Sequence, residues 1–247
     1  MNKIFYLILF SVILIITGNS CKKLKTPDAV KEREEWISSF KDSVNHYQQI
    51  IEISETELNE MNKKIQAMMD EFEYVSNPRQ VEGFYLLKGW KDKIPMTKTG
   101  IYARLTESNT LELLATLSGG TFNQIKISAD GDEIMSNVVK HDQALNYRQN
   151  NLNTVCFSGE ATDSIAEFIY GYRIYKIKLD FIEGGVKKSF DIPDDQKTMI
   201  AKTWELYESQ FESRKLEKEI WISSRKIDTY RVIMDKELPT DAEPNDN

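Results

Sequence analysis

The most unusual polar segment of the chain is VKHDQALNYR, residues 139–148. His141, Asp142, Gln143, Asn146, Tyr147 and Arg148 lie close together there, in what reads as a long loop. This mix of donors and acceptors suits a sugar or a peptide, and binding groups are often carried on loops. The preferred alternative is that these groups satisfy one another and the nearby backbone, pinning the loop to a sheet. Cys156 adds a thiol. With His141 as base and Asp142 as orienter it has the parts of a cysteine hydrolase, provided the three come within hydrogen-bond reach. However, Cys156 sits inside a strand-like run, away from any helix N-terminus or turn that would lower a thiol pKa. A small buried hydrophobe is its expected role, and Ser158 with His141 is no better placed.

Other chemistries find less material. Gly119-Gly120-Thr121 lacks the lysine and the spacing of a phosphate loop, and there is no CxxC, HExxH or acidic calcium loop. Two histidines in the whole chain leave little for a zinc site or an acid–base network. No metal and no cofactor is expected. The formal charge is −7, so phosphate backbones would be repelled and nucleic acid is not an expected partner.

The elements that must position these groups fall into two kinds. Residues 81–192 read as a β-rich head: short runs of β-branched and aromatic residues separated by turn signals. Asp130-Gly131 and Gly184-Gly185 read as hairpin turns and Ser108-Asn109 as a third turn. Residues 162–172 read as one short helix. In the strand-like run 173–182, Ile174, Ile177, Leu179 and Phe181 alternate with Lys176, Lys178 and Asp180. One wet face argues for an antiparallel sheet. Tyr102 and Arg104 would share one strand face.

The head is flanked by two long helices, 31–76 and 193–236. In the first, Ile37, Phe40, Val44, Tyr47, Ile51, Ser54, Leu58, Met61, Ile65, Met68, Phe72 and Val75 follow one another in steps of three and four. That is an unbroken heptad seam with Ser54 its one polar member. The helix starts near 26–31 and stops before Asn77-Pro78. At 1.5 Å per residue it would be about 65–70 Å long. The second helix opens at Pro193-Asp194-Asp195. Its stripe Ile200, Trp204, Tyr207, Phe211 changes phase before Leu216, Ile220, Ile227, Tyr230 and Met234, so a change of packing partner is expected there. The expected fold is α+β: an antiparallel helical hairpin, a coiled-coil stalk, with the β-rich head inserted. The alternative is a compact α+β domain whose helices fold back over the sheet. A heptad does not separate pairing within the chain from pairing with a second copy, so a homodimer through the first helix stays open.

The N-terminus supplies an address. Lys3 precedes an apolar run at 4–16, too short to span a membrane but right for an export signal. Small or turn-forming residues follow, then Cys21. This arrangement resembles a bacterial lipoprotein signal, with Gly18 and Asn19 as departures from the usual pattern. The resemblance implies that residues 1–20 are removed, that Cys21 is acylated, and that 21–30 form a tether. Two or three acyl chains make a stable anchor where one is marginal. Cys156, the second of two cysteines, then has no partner within the chain. In Bacteroidota-type lipoproteins an acidic run after the cysteine resembles a surface-export signal. Here the run is CKKLK, which favours an outer-membrane anchor facing the periplasm. Asp42-Ser43-Val44 and Asp163-Ser164-Ile165 resemble the short O-glycosylation motif of such envelope proteins, with Ser43 the more accessible candidate.

The layout of GIYARL, HDQALNYR and TWELYESQ around a head between two helices is similar to Bacteroidota-type lipoproteins that carry no assigned activity or site residues. The expected protein is non-catalytic. It binds or scaffolds an envelope protein or glycan, with the membrane reached through its lipid. A glycan- or peptide-binding module on the 139–148 loop, and a hydrolase using Cys156, are the rival readings. The segment 237–247 is expected to be a disordered acidic tail.

Overall fold

The computed structural model describes residues 27–76 and 82–237. The signal, Cys21, most of the tether, the Asn77-Pro78 turn and nearly all of the acidic tail lie outside the described residues. The fold is α+β. In chain order the elements are α1 (Pro27–Met69), β1 (Phe72–Val75), β2 (Phe84–Leu87), β3 (Gly100–Thr106), β4 (Leu111–Ser118), β5 (Gln124–Ala129), β6 (Asp132–Met135), β7 (Asn146–Gln149), β8 (Leu152–Ser158), α2 (Glu160–Gly171), β9 (Lys178–Glu183), β10 (Val186–Asp191) and α3 (Asp194–Glu237). A 3-10 turn at Lys91–Lys93 sits between β2 and β3.

Both sheets are antiparallel. One has six strands in the order β1-β2-β3-β4-β8-β7, the other four in the order β10-β9-β5-β6. Their inner faces share one core with α2. Phe157 of β8, Phe181 of β9 and Phe122 between β4 and β5 meet there, with Phe122 edge-on to Phe181 at 4.8 Å. Three expected turns are present. Asn109 between β3 and β4 has φ 59°, and Asp130-Gly131 and Gly184-Gly185 have positive φ throughout, as two-residue hairpin turns require.

Several boundaries differ from the sequence reading. α1 already begins at Pro27, so the last residues assigned to the tether are helical, and it ends at Met69 rather than 76. Phe72 and Val75 continue the heptad spacing, yet they belong to β1, which pairs with β2 from Phe72↔Leu87 to Val75↔Phe84. A Phe-Glu-Tyr-Val run suits a strand, and cross-strand pairing decides its state. The β-rich part therefore starts at 72, not 81. The run 173–182 is strand only from Lys178. Ile174 is 82 % exposed, in the turn after α2. The loop at 139–148 also contains the start of β7, paired with β8.

The seam of α1 is confirmed: every seam position from Ile37 to Met68 is buried or half-buried. Ser54, the polar exception, is one of its two most enclosed members, and its hydroxyl donates to Glu219. On α3 the stripe Ile200, Trp204 and Tyr207 packs against the core of the sheets, and a different stripe faces α1. Leu206, Ser209, Ser213, Leu216, Ile220, Ser223, Ile227, Tyr230 and Met234 alternate steps of three and four and are all buried or half-buried, while Phe211 is exposed. Buried serines carry the seam where apolar residues are missing. The change of partner expected between Phe211 and Leu216 lies about a turn earlier, after Tyr207, and toward the start of the helix Met199 and Ile200 join the core of the sheets. There Gln196 Oε1 and Met199 Sδ accept the N–H groups of Ile101 and Ala103 along β3.

The chain divides into two compact units. In one, which holds α1 up to Glu52 and α3 from Ile220 onward, the helices pair antiparallel. Tyr230 lies against Phe40 and Tyr47, and Lys226 donates to the Tyr47 hydroxyl at 2.9 Å. The other, Ile53–Glu219, holds both sheets, α2 and the remaining helical turns. Those turns pair antiparallel too, through Ser213 to Asn62 and Gln210 to Met69.

Candidate functional site

Strand alternation sends Ile101 and Ala103 into the core and leaves Tyr102 and Arg104 on the outer face of the six-stranded sheet. Register places Tyr102 opposite Leu114, Leu114 opposite Cys156, and Arg104 opposite Glu112. From the segment 88–99, Lys91, Ile94 and Pro95 border this face, while Trp90 and Met96 are buried in the core. What remains open is a cleft of about 410 Å3. Its floor is Phe84, Tyr102, Arg104, Leu114 and Cys156. Its rim is formed by Val75 and Ser76, by Lys91, Ile94 and Pro95, and by Ala144 with Tyr147.

Arg104 is the charged group on this floor, and it is 9 % exposed. Its Nε donates to Glu112 Oε2 at 2.5 Å, and its guanidinium lies 4.4 Å from the centre of the Phe84 ring. Burial works against the charge, but Glu112 outweighs it, and the guanidinium is held more firmly protonated than in water. Besides Glu112, the Cys156 thiol lies within hydrogen-bond reach of Arg104. The Tyr102 side chain is 5 % exposed, and burial pushes its phenol well above the ordinary value, although Arg104 pulls the other way. The hydroxyls of Tyr102 and Tyr147 have no hydrogen-bond partner among the described residues.

The 139–148 residues are brought together only in part. Asp142 Oδ1 accepts the N–H groups of Ala144 and Leu145, which holds its carboxyl below the usual range. His141 Nε2 pairs with Glu183 Oε1 at 2.8 Å, on β9. Hydrogen bonds from Thr121 and then from His141 keep Glu183 below its ordinary value. Asn146 is buried, and its amide donates to the carbonyls of Val139 and Phe122. Arg148 donates to Asn151 at 2.7 Å and Gln143 is exposed. Only Tyr147 turns to the cleft. The loop is largely bonded to itself and to the sheet.

Comparison with protein-family models, curated proteins and solved structures finds no significant match to this chain. The chemistry of the site therefore rests on its own geometry.

Cys156 is 6 % exposed. Burial, with Glu112 beside it, pushes its thiol up to about 12. Neither His141 nor Asp142 bonds to it, so the parts of a cysteine nucleophile are not assembled. With Cys21 replaced by alanine, Cys156 in the folded protein is expected to react with a thiol reagent at pH 8 about a thousandfold more slowly than free cysteine. Full reactivity should return in guanidinium. Rapid labelling of the folded protein would restore the nucleophile reading.

Among the described residues no three His, Cys, Asp or Glu side chains are grouped to hold a metal ion. Ser43 is half-buried and Ser164 exposed, the reverse of the expected accessibility. Each hydroxyl donates to a carbonyl of its own helix, Ser39 and Glu160 respectively. The residues that sequence reasoning missed are Phe84, Leu114 and the 91–95 rim. The signal that could have found part of the floor is the pairing of Arg104 with Glu112 across the Ser108-Asn109 turn.

Proposed function

We propose that the protein is a non-catalytic binding protein of the bacterial cell envelope, anchored through lipid on Cys21, which takes its partner in the cleft above Tyr102 and Arg104. One observation carries this reading. Most polar groups around the cleft are matched within the protein, whereas its floor keeps donors without acceptors in an apolar setting. Binding sites have this composition: mostly apolar walls with a few placed polar groups. The address comes from the sequence, through the apolar run at 4–16, Cys21 and the lysines after it. These features support an anchor in the outer membrane facing the periplasm. A second reading, a glycan or peptide held by the 139–148 loop, draws support from Tyr147 and Ala144, which border the same cleft.

Two measurements test the proposal. Labelled palmitate should enter the wild-type chain and not the Cys21→Ala variant. A photo-crosslinker in place of Lys91, on the cleft rim, should give an adduct of defined mass in cells. The adduct should disappear when Ala144→Trp fills the cleft, and a crosslinker in place of Lys63 on α1 should not give it. Equal crosslinking from both positions would count against the cleft.

A further inference from the structure

The unspent donors of the cleft have a common chemistry. Arg104 is fixed from below by Glu112 and from the side by Phe84, so its guanidinium does not need to be ordered by a ligand. Its Nε is taken by Glu112, and the rest of the guanidinium, with Cys156 beside it, borders the cleft. The Tyr102 hydroxyl belongs to a side chain 5 % exposed, yet nothing in the described protein accepts from it. Tyr147 adds a second phenol from β7, on the same side of the cleft as Ala144. Tyr102, Arg104 and Tyr147 all line this one cleft. These donors reach the surface of the cleft, where an acceptor on a ligand can take the place of water. Lys91 at the rim adds positive charge, while the Glu112 carboxylate below is already bonded to Arg104. The rest of the lining is Val75, Phe84, Ile94, Pro95 and Leu114.

We infer that this cleft binds a carboxylate carried on an apolar body, with the carboxylate seated on Arg104 and the two tyrosine hydroxyls and the body against Phe84, Ile94 and Leu114. This rests on the proposed binding role and names its ligand chemistry. A planar carboxylate matches two guanidinium N–H groups, and charge-assisted hydrogen bonds in an apolar site are the strong ones. The carboxylate could end a short peptide or belong to a free aliphatic or aromatic acid. The cleft volume accommodates one large side chain in either case.

The test uses the full chain in detergent micelles and isothermal titration with four probes. They are N-acetyl-Ala-Ala-Phe and its C-terminal amide, and 4-phenylbutyrate and its amide. At least one acid should bind about tenfold or more tightly than its amide. Tyr102→Phe and Tyr147→Phe, which each remove one hydroxyl and keep the ring, should weaken that acid about tenfold. A tighter peptide acid assigns the site to peptide termini, and a tighter phenylbutyrate to free acids. Equal binding of acid and amide, no binding of either acid, or tyrosine variants without effect would overturn the carboxylate assignment. If the Lys91 crosslink still forms in those cases, the binding cleft stands and only its ligand chemistry falls. If it is absent too, both fall.

Discussion

Replacing Asn153 with leucine is expected to lower the stability by about 4 kcal/mol, although the two side chains are similar in size. Asn153 has no exposed surface. Its Oδ1 accepts the Phe122 N–H at 2.8 Å, and its amide donates to Asn146 Oδ1 at 2.9 Å and to the Tyr147 carbonyl at 3.1 Å. Leucine would leave a buried N–H, a buried amide oxygen and a carbonyl without this partner, each costing about 1–3 kcal/mol where water cannot reach. Asn146 in turn holds the carbonyls of Val139 and Phe122, so the loss extends to the 139–148 loop. Urea denaturation measures the stability, and amide exchange at Cys156, whose N–H is held by the Leu145 carbonyl, reports the loop. The double variant N146L/N153L should cost less than the two single losses added, because the two side chains bond to each other. A loss below about 1 kcal/mol for N153L would mean that the network is not what fixes the loop.

That network explains why the most polar segment of the sequence misleads. Its composition is that of a binding loop, but two of the partners that consume it, Phe122 and Glu183, lie 24 and 42 residues away from Asn146 and His141, and the third, Asn153, sits on a neighbouring strand whose pairing with the loop the sequence does not state. β7 was hidden for the same reason. Of its four residues only Asn146 is buried, so there is no apolar alternation to read. The signal that was present is Asn150-Asn151, where both residues take positive φ, 50° and 61°, in the β7–β8 turn. Asparagine tolerates that conformation, and two in a row between polar strands mark a hairpin as a glycine pair does.

The helices were legible by period and less so by chemistry. The α1 seam follows from spacing alone. On α3 the seam runs through Ser209, Ser213 and Ser223, and a reading that counts apolar residues moves instead to Phe211, which faces water. Small hydroxyl residues pack between helices as well as small apolar ones when their donors find partners. Ser213 does so with Asn62. The cleft was legible to the extent of one strand face, Tyr102 and Arg104. The residues that complete it come from β1, β2, the 91–95 segment, β4, the loop before β7, β7 and β8, and only the β3–β4 turn is local. β8 lies beside β4 because β5 and β6 leave for the other sheet, a topological choice without a local signal.

The same limit applies to Asp180, which the alternation of β9 places on a wet face. It is on that face, yet its side chain is 1 % exposed. Lys187 Nζ stands 2.8 Å from Oδ2 and Ser189 donates to Oδ1 at 2.7 Å, while Lys126 lies opposite in register. Burial raises the carboxyl, but Lys187 and Ser189 outweigh it, and Asp180 titrates below its ordinary 3.8. A carboxyl lowered by folding stabilises the protein fully above its unfolded value, and that contribution is lost as the pH falls through the folded value. Lys187→Met removes the charge partner and leaves the burial in place. The expected loss at pH 7 is about 2–3 kcal/mol, less than for a fully enclosed pair because Lys187 is half in water. In the variant the Asp180 carboxyl should titrate higher than in the wild type, because burial still raises it while only Ser189 and Lys178 still lower it. The gap between wild type and K187M should therefore narrow at pH 3, where a proton neutralises the variant's carboxyl and Ser189 can still bond to it. Urea denaturation at both pH values decides the matter. An equal gap at pH 7 and pH 3 would assign the role of Lys187 to the packing of its aliphatic stem across the strand rather than to its charge.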